Sequence, residues 1–268
     1  MVGAVAGSSG PARWRVVVFR VVAGLLGILQ LAAGQLAVSP WGPVALANPS
    51  LEHHPDLHRW ANALAGGPDV TTALVLLYLA WRPLGKPLIL QWFVLALIVF
   101  FLANVFFLPG STVFLTIIFV PVLIAYPEPR KLLTPPWRGT PSWPLLCLAF
   151  VLAAFLIPDA WRALQAQLRG ADELRNYDWP SNVEHLINLC LVALLAASRR
   201  PGWNVLALKV IADLLYLGVA AISVPNAPGS WGTNGGAIAV VGGLAFLGAT
   251  AYEWRRESRP ALARGPTT

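Results

Sequence analysis

The sequence predicts an all-α integral membrane protein: eight transmembrane helices as two tandem four-helix repeats of the same orientation, with short interfacial helices outside. Three observations predict it. Apolar residues make up 57% of the 268 and charged residues only 12%, with mean hydropathy +0.64. A soluble domain carries roughly 25% charged residues and needs a largely polar exterior, which this chain cannot supply. The apolar residues are also gathered into runs of span length, and the same landmarks recur in both halves.

A bilayer core takes about 20 apolar residues per helix, with roughly 17 to 25 the usual range. Clear runs lie near 16–38, 87–108, 111–126, 142–157, 204–224 and 235–252, and two shorter ones near 69–82 and 183–198. Both shorter runs open with a helix-start signal. Asp69 follows Gly66-Gly67-Pro68 and reads as an N-cap, while Ser181 and Glu184 form a capping box after Pro180. Ala45-Leu46-Ala47 has the form of a signal-peptidase site. The preceding run is long for a signal sequence and ends well before it, so the first span reads as uncleaved.

Charge sets the direction of threading. With the N-terminus in the cytoplasm, Arg13, Arg15, Arg20, Arg82, Lys86, Arg130, Lys131, Arg138, Arg199, Arg200, Arg255, Arg256, Arg259 and Arg264 lie inside. Only Arg59, Arg162, Arg169 and Arg175 lie outside. Short cytoplasmic loops collect basic residues, so both termini are expected in the cytoplasm of a cell-membrane protein. The formal charge of +7 therefore reads as topology and contact with anionic lipid, and no nucleic-acid partner is expected. Arginine greatly outnumbers lysine (Lys86, Lys131 and Lys209 alone), a bias of GC-rich bacterial genomes. Cys147 and Cys190 both fall inside apolar runs and read as small buried residues.

The repeat is read from spacing. Pro40, Trp60, Arg82-Pro83 and Pro109-Gly110-Ser111 recur as Pro158, Trp179, Arg200-Pro201 and Pro228-Gly229-Ser230. The intervals from Pro40 through Trp60 and Pro83 to Pro109 are 20, 23 and 26 residues, against 21, 22 and 27 in the second half. This divides the chain into repeats at 1–135 and 136–257, with a disordered cytoplasmic tail at 258–268. Four spans per copy is even, so the copies share a direction, and the space between them is the natural place for a cavity. In this alignment Gln91 corresponds to Lys209 and Leu95 to Asp213. Leu57, Trp60, Ala61 and Leu64, like Trp161, Leu164 and Leu168, have helical spacing and read as short surface helices with tryptophan at headgroup depth. Most of the twelve tryptophans are expected in such belts.

Two groups of side chains carry chemistry. Asp213 lies mid-span with Lys209 one turn away, and i, i+4 spacing puts both on one helix face. A lone carboxylate there costs on the order of 3 kcal/mol, so it needs a partner or a proton. Gln30, Gln35, Asn104, Asn188 and Tyr216 can join such a polar site. The reading is a protonatable or cation-binding group in a central pathway; its alternative is a self-neutralised pair that glues helices together. The second group is His54, His58 and His185 on the external side, near Glu52, Asp56, Asp178 and Glu184, a set able to hold zinc or copper. No cofactor is otherwise predicted, and no nucleotide, hydrolase or zinc-protease motif appears. Gly232 to Gly236 read as a turn and Gly242-Gly243 as a close helix contact.

The string NAPGSWGTNGG over 226–236, the glycine-rich span after it, Glu253-Trp254-Arg255-Arg256 and Trp81-Arg82-Pro83 resemble segments of uncharacterised polytopic membrane proteins of actinobacteria. The resemblance implies a membrane protein and brings no activity or site with it. The expected function is passage of a small solute or ion through a cavity between the repeats. A non-catalytic subunit or scaffold with protein partners and an external metal-handling or redox protein stand as alternatives, and an enzyme is the least expected.

Overall fold

The computed structural model describes residues 11–42, 55–103, 110–135, 140–170 and 178–263. Among them the chain is helical throughout and forms no strand. Eight α-helices follow in order: α1 (Arg13–Ala33), α2 (Pro55–Trp81), α3 (Pro87–Ala103), α4 (Gly110–Ala125), α5 (Trp143–Arg169), α6 (Asp178–Ala197), α7 (Trp203–Ser223) and α8 (Gly232–Ala263). Short 3₁₀ turns follow α1 at Gly34–Val38 and α4 at Pro129–Leu133. Six of the helices are long and apolar enough to cross a membrane, and α3 and α4 are shorter apolar helices.

The outer surface is apolar at helical spacing. Val17, Val21, Leu25 and Ile28 stand exposed along α1, as do Ile238, Val241 and Leu244 along α8. Water would penalise such a surface, whereas lipid satisfies it without cost, so this is the exterior of a multipass membrane protein. The interior belongs to α6, α7 and α2, the most enclosed of the six long apolar helices.

Packing is ordered. α1 lies against α2 and α4, and α5 against α6 and α8. α7 lies along α8, α3 along α4, and α2 meets both α6 and α7 while α3 meets α6. The α7–α8 contact is close because Gly218 and Gly236 face each other: a Cβ on Gly236 would come 2.6 Å from the Gly218 carbonyl oxygen. Helices in lipid have no solvent to expel, so small residues that admit close approach do much of the holding.

Polar bonds tie the basic end together. Arg200 Nη1 donates to Gln91 Oε1 at 3.3 Å and to the Pro135 carbonyl at 2.6 Å. Gln91 Nε2 donates to the carbonyls of Leu132, at 2.8 Å, and Thr134. Arg199 joins Glu253 at 3.4 Å and Glu257 at 3.0 Å. The starts of α3, α5 and α7 and the ends of α2, α4, α6 and α8 therefore gather at one end, and successive helices alternate in direction.

Several expectations are corrected here. Gly66-Gly67-Pro68 does not precede a helix, and Asp69 is not an N-cap. α2 runs unbroken from Pro55 through Pro68 to Trp81, so the surface helix expected around Trp60 is the first half of a span. Pro158 likewise lies inside α5, which carries Trp161, Leu164 and Leu168 on without a break. Proline removes one helical hydrogen bond, and packing against neighbouring helices outweighs that loss. Trp60 is buried beside Trp231 and is no belt residue, whereas Trp14, Trp81 and Trp143 are exposed at helix ends and Trp161 is exposed about two turns before the end of α5. α6 starts at Asp178, which places Ser181 and Glu184 inside the helix and dissolves the capping box. The glycine-rich turn ends by Gly232, where α8 begins, and α8 continues past Glu257 to Ala263, into the expected tail.

Candidate functional site

The charged residues of α7 are Lys209 and Asp213, which are four residues apart and 3% and 2% exposed. Their shared face meets α2 where Pro68, Asp69 and Thr71 follow the two glycines. Lys209 Nζ donates to Asp213 Oδ2 at 2.9 Å, to Thr71 Oγ1 at 2.6 Å and to the Pro68 carbonyl at 3.2 Å. An ammonium has three protons, and all three are placed. Thr71 has a single proton to give. Asp213 Oδ1, at 2.6 Å, is a nearer acceptor for it than the Pro68 carbonyl at 3.0 Å. Lysine, threonine and aspartate thus close a ring between two helices.

The ring has an aromatic lid and a second acid beside it. Trp92 on α3 turns its face to Lys209 Nζ, 5.4 Å from the ring centre, a cation–π distance. Asn188 on α6 holds that indole by accepting from its Nε1 at 2.8 Å. Asp69, two residues before Thr71, accepts from Gln30 Nε2 of α1 at 2.5 Å. Gln30 is fully buried, and its own amide oxygen has no hydrogen-bond partner. Lys209 and Asp213 lie near enough to act electrostatically on Asp69. Two carboxylates, one bonded to the ammonium and one close by, therefore lie near the middle of α2 and α7. With every group ionised, the cluster carries one uncompensated negative charge.

No protein-family model, curated protein or solved structure matches the chain. The site is accordingly read from its own chemistry.

Of the residues singled out in the sequence, Lys209, Asp213, Asn188 and Gln30 come together around this centre. Tyr216 lies one turn beyond Asp213 and plays a bracing part: its hydroxyl donates to the Ala37 carbonyl at 2.6 Å, and Trp41 meets its ring edge-on at 5.9 Å. Asn104 and His54 lie outside the described residues. His58 Nδ1 sits 2.8 Å from Asp178 Oδ2, joining α2 to α6. His185 Nδ1 is 2.8 Å from the Ser181 carbonyl, with Phe100 edge-on at 5.6 Å. The two histidines thus engage different partners, and among the described residues no group of three histidine, cysteine or acidic side chains is placed to hold a metal ion.

Asp69, Thr71 and Trp92 were missed in the sequence. The signal for Asp69 and Thr71 was present in Pro68-Asp69-Val70-Thr71-Thr72, which lies midway along α2 once that helix is extended back to Pro55. Trp92 had no signal, because one tryptophan in an apolar run reads like any other.

Proposed function

We propose that this is an eight-span protein of the cell membrane, built from two like-oriented four-helix repeats, that moves a small solute or ion between them. The observation that carries the reading is the placement of two buried carboxylates, Asp69 and Asp213, beside the single ammonium of Lys209. Ionisable groups at mid-membrane depth are expensive and cluster on pathways for protons, ions and substrates. A proton or a monovalent cation taken up at Asp69 or Asp213 neutralises the centre. Its release leaves Lys209 to be shared between two acids on different helices. Exchange of that kind couples the charge state to the relative position of α2 and α7.

The architecture supports the same reading. The pair α1–α2 has its counterpart in α5–α6, α1–α4 in α5–α8, α3–α4 in α7–α8, and α2–α7 in α3–α6. Exchange of the halves carries these four contacts into one another, which supports a pseudo-two-fold axis along the membrane normal, while among the described residues the α6–α7 contact has no comparable α2–α3 counterpart. α2 and α7 come from different repeats, so the Thr71–Asp213 bond spans the boundary where a pathway between them would run. The basic end supports a cytoplasmic position for both termini.

Proteoliposomes test it. Uptake of a panel of small polar solutes is followed together with lumenal pH under an imposed potential. Flux that is lost in Asp69→Asn and Asp213→Asn, with both variants folded and inserted, is the expected result. Flux indifferent to both substitutions overturns the proposal.

A further inference from the structure

At the end of the bundle away from Arg82 and Arg200, α5, α6 and the turn before α8 enclose a cleft of about 410 Å³. Small-molecule sites span roughly 300–1,000 Å³. Neither Lys209 nor Asp213 nor Asp69 lines it, so it is separate from the ionic centre. Its walls are aromatic: Phe155 from α5, Trp179 from α6 and Trp231 from the turn. Trp231 is fixed edge-on between Phe155 and Trp60, with ring centres 5.5 and 5.1 Å away.

Its polar groups are unfinished. Asn182 lines the cleft, is only 3% exposed, and its side-chain oxygen has no hydrogen-bond partner. The Nε1 proton of Trp231 is buried and has none either. Folded proteins rarely leave such groups unpaired, and a pair of them on one cleft, an acceptor and a donor, points to a ligand that completes both. At the rim Arg162 is ion-paired with Asp159, so the charged residues of the lining cancel. Ser230 adds a hydroxyl whose oxygen accepts from Gly232 N–H at 3.2 Å, which leaves its proton to donate.

This lining selects a class of ligand. A cation would want unopposed acid and an anion unopposed base, and the rim offers neither. A purely apolar ligand would leave Asn182 and Trp231 unsatisfied. A neutral ring with hydroxyls at its edge and C–H groups on its faces meets every requirement, because Phe155 and Trp179 offer aromatic surface to the C–H groups while the Asn182 amide, the Trp231 N–H and the ion pair take the hydroxyls. We propose that the cleft binds a sugar ring, supplied either as a free sugar or as the headgroup of a glycolipid.

The test uses the full chain, purified in a detergent without a sugar headgroup and placed in phosphatidylcholine nanodiscs. Tryptophan fluorescence is read against glucose, galactose and N-acetylglucosamine in solution, and separately against rising fractions of monoglucosyl diacylglycerol in the disc. Saturable binding is expected, weakened about tenfold by Asn182→Ala or Trp231→Phe. Arg162→Gln, at an exposed position, weakens it as well and keeps the test valid should the buried variants fail to fold. A response to free sugar identifies a soluble ligand and a response to glycolipid alone a lipid one; both uphold the proposal. No saturable response from either source, or binding unchanged in every folded variant, overturns it. Neither result depends on whether the ionic centre supports flux.

Discussion

Gly67 on α2 lies so close to Tyr216 on α7 that a Cβ added to the glycine would fall 2.2 Å from the aromatic ring. The ring cannot easily retreat, because its hydroxyl is bonded to the Ala37 carbonyl at 2.6 Å and Trp41 packs edge-on against it. The absent side chain therefore sets the distance between the two helices that share the Lys209–Thr71–Asp213 ring.

Gly67→Ala should destabilise the protein despite alanine's better helix propensity. Propensity offers about 0.5–1 kcal/mol, whereas overpacking of this kind costs about 1–3 kcal/mol. Gly248→Ala is the control, since nothing lies within 4 Å of its Cβ position and only the propensity gain applies. Detergent-solubilised unfolding midpoints should move in opposite directions for the two variants.

The ionic ring predicts a non-additive cycle. Lys209→Met or Asp213→Leu alone leaves one buried charge without its partner and should cost about 3–5 kcal/mol. The double variant removes both charges and should cost less than either single one. Thr71→Val keeps the shape and removes the hydroxyl that links the pair, for a loss of about 1–3 kcal/mol. Denaturation of the four proteins under one condition gives the cycle, and simple additivity would show that the pair does not act as a unit.

This centre was half legible in the sequence. Lys209 and Asp213 lie on one helix, so their spacing alone placed them together. Asp69 and Thr71 lie on another helix, behind Gly66, Gly67 and Pro68, residues that end most helices in water. Local chemistry argues for a break there, and packing decides otherwise: α2 stays helical because the 3₁₀ turn after α1 closes in on Gly66 and α7 on Gly67. The eight apolar runs were legible for the same reason that Lys209 was, since hydropathy is a local property. How deep Asp69 sits depends on where α2 begins, and Pro55 gave no sign of starting a span.

Outside the membrane-spanning helices, Glu128 makes stability depend on acid. Partial burial works to raise its pKa, but the hydrogen bond from Lys131, the bond from Gly85 N–H at 3.3 Å, the Lys131 charge and the Tyr126 hydroxyl together hold it below the usual 4.5. A carboxyl depressed in the folded state contributes stability above its unfolded pKa and loses it as pH falls through the folded value. The stability gap between the native chain and Glu128→Gln should thus be full near pH 7 and shrink as pH drops below about 4.5. Unfolding midpoints measured between neutral pH and about pH 3 check it, and a gap that widens in acid would reverse the assignment.

Ser142 serves two partners at the start of α5. Its oxygen accepts from Leu145 N–H at 3.3 Å as an N-cap, and its proton goes to Glu253 Oε1 at 2.7 Å. Ser142→Ala loses both, for about 1–2 kcal/mol. Aspartate caps helices as well as serine does, yet it would set a second carboxylate against buried Glu253. Ser142→Asp should therefore be less stable than Ser142→Ala at neutral pH, the reverse of the order that capping alone dictates. Thermal unfolding of the two variants separates the roles.

Alternating helices with an even number of crossings make a prediction about sides. Arg13, Arg82 and Arg256 lie at the basic end, and Gly42 and Asn226 at the other. Single cysteines placed at these five positions, with Cys147 and Cys190 replaced, can be probed in intact cells with a membrane-impermeant maleimide. The cysteines of Gly42→Cys and Asn226→Cys should react at once, and those of Arg13→Cys, Arg82→Cys and Arg256→Cys only after permeabilisation, because basic loops are retained in the cytoplasm. α3 and α4 decide the outcome. They are the shorter helices, and if they dip into the membrane and return as a pair without crossing it, both ends of the chain stay on one side. The distinguishing position is then the junction between them: a cysteine in place of Ser111 should label from outside if each helix crosses, and from inside if neither does.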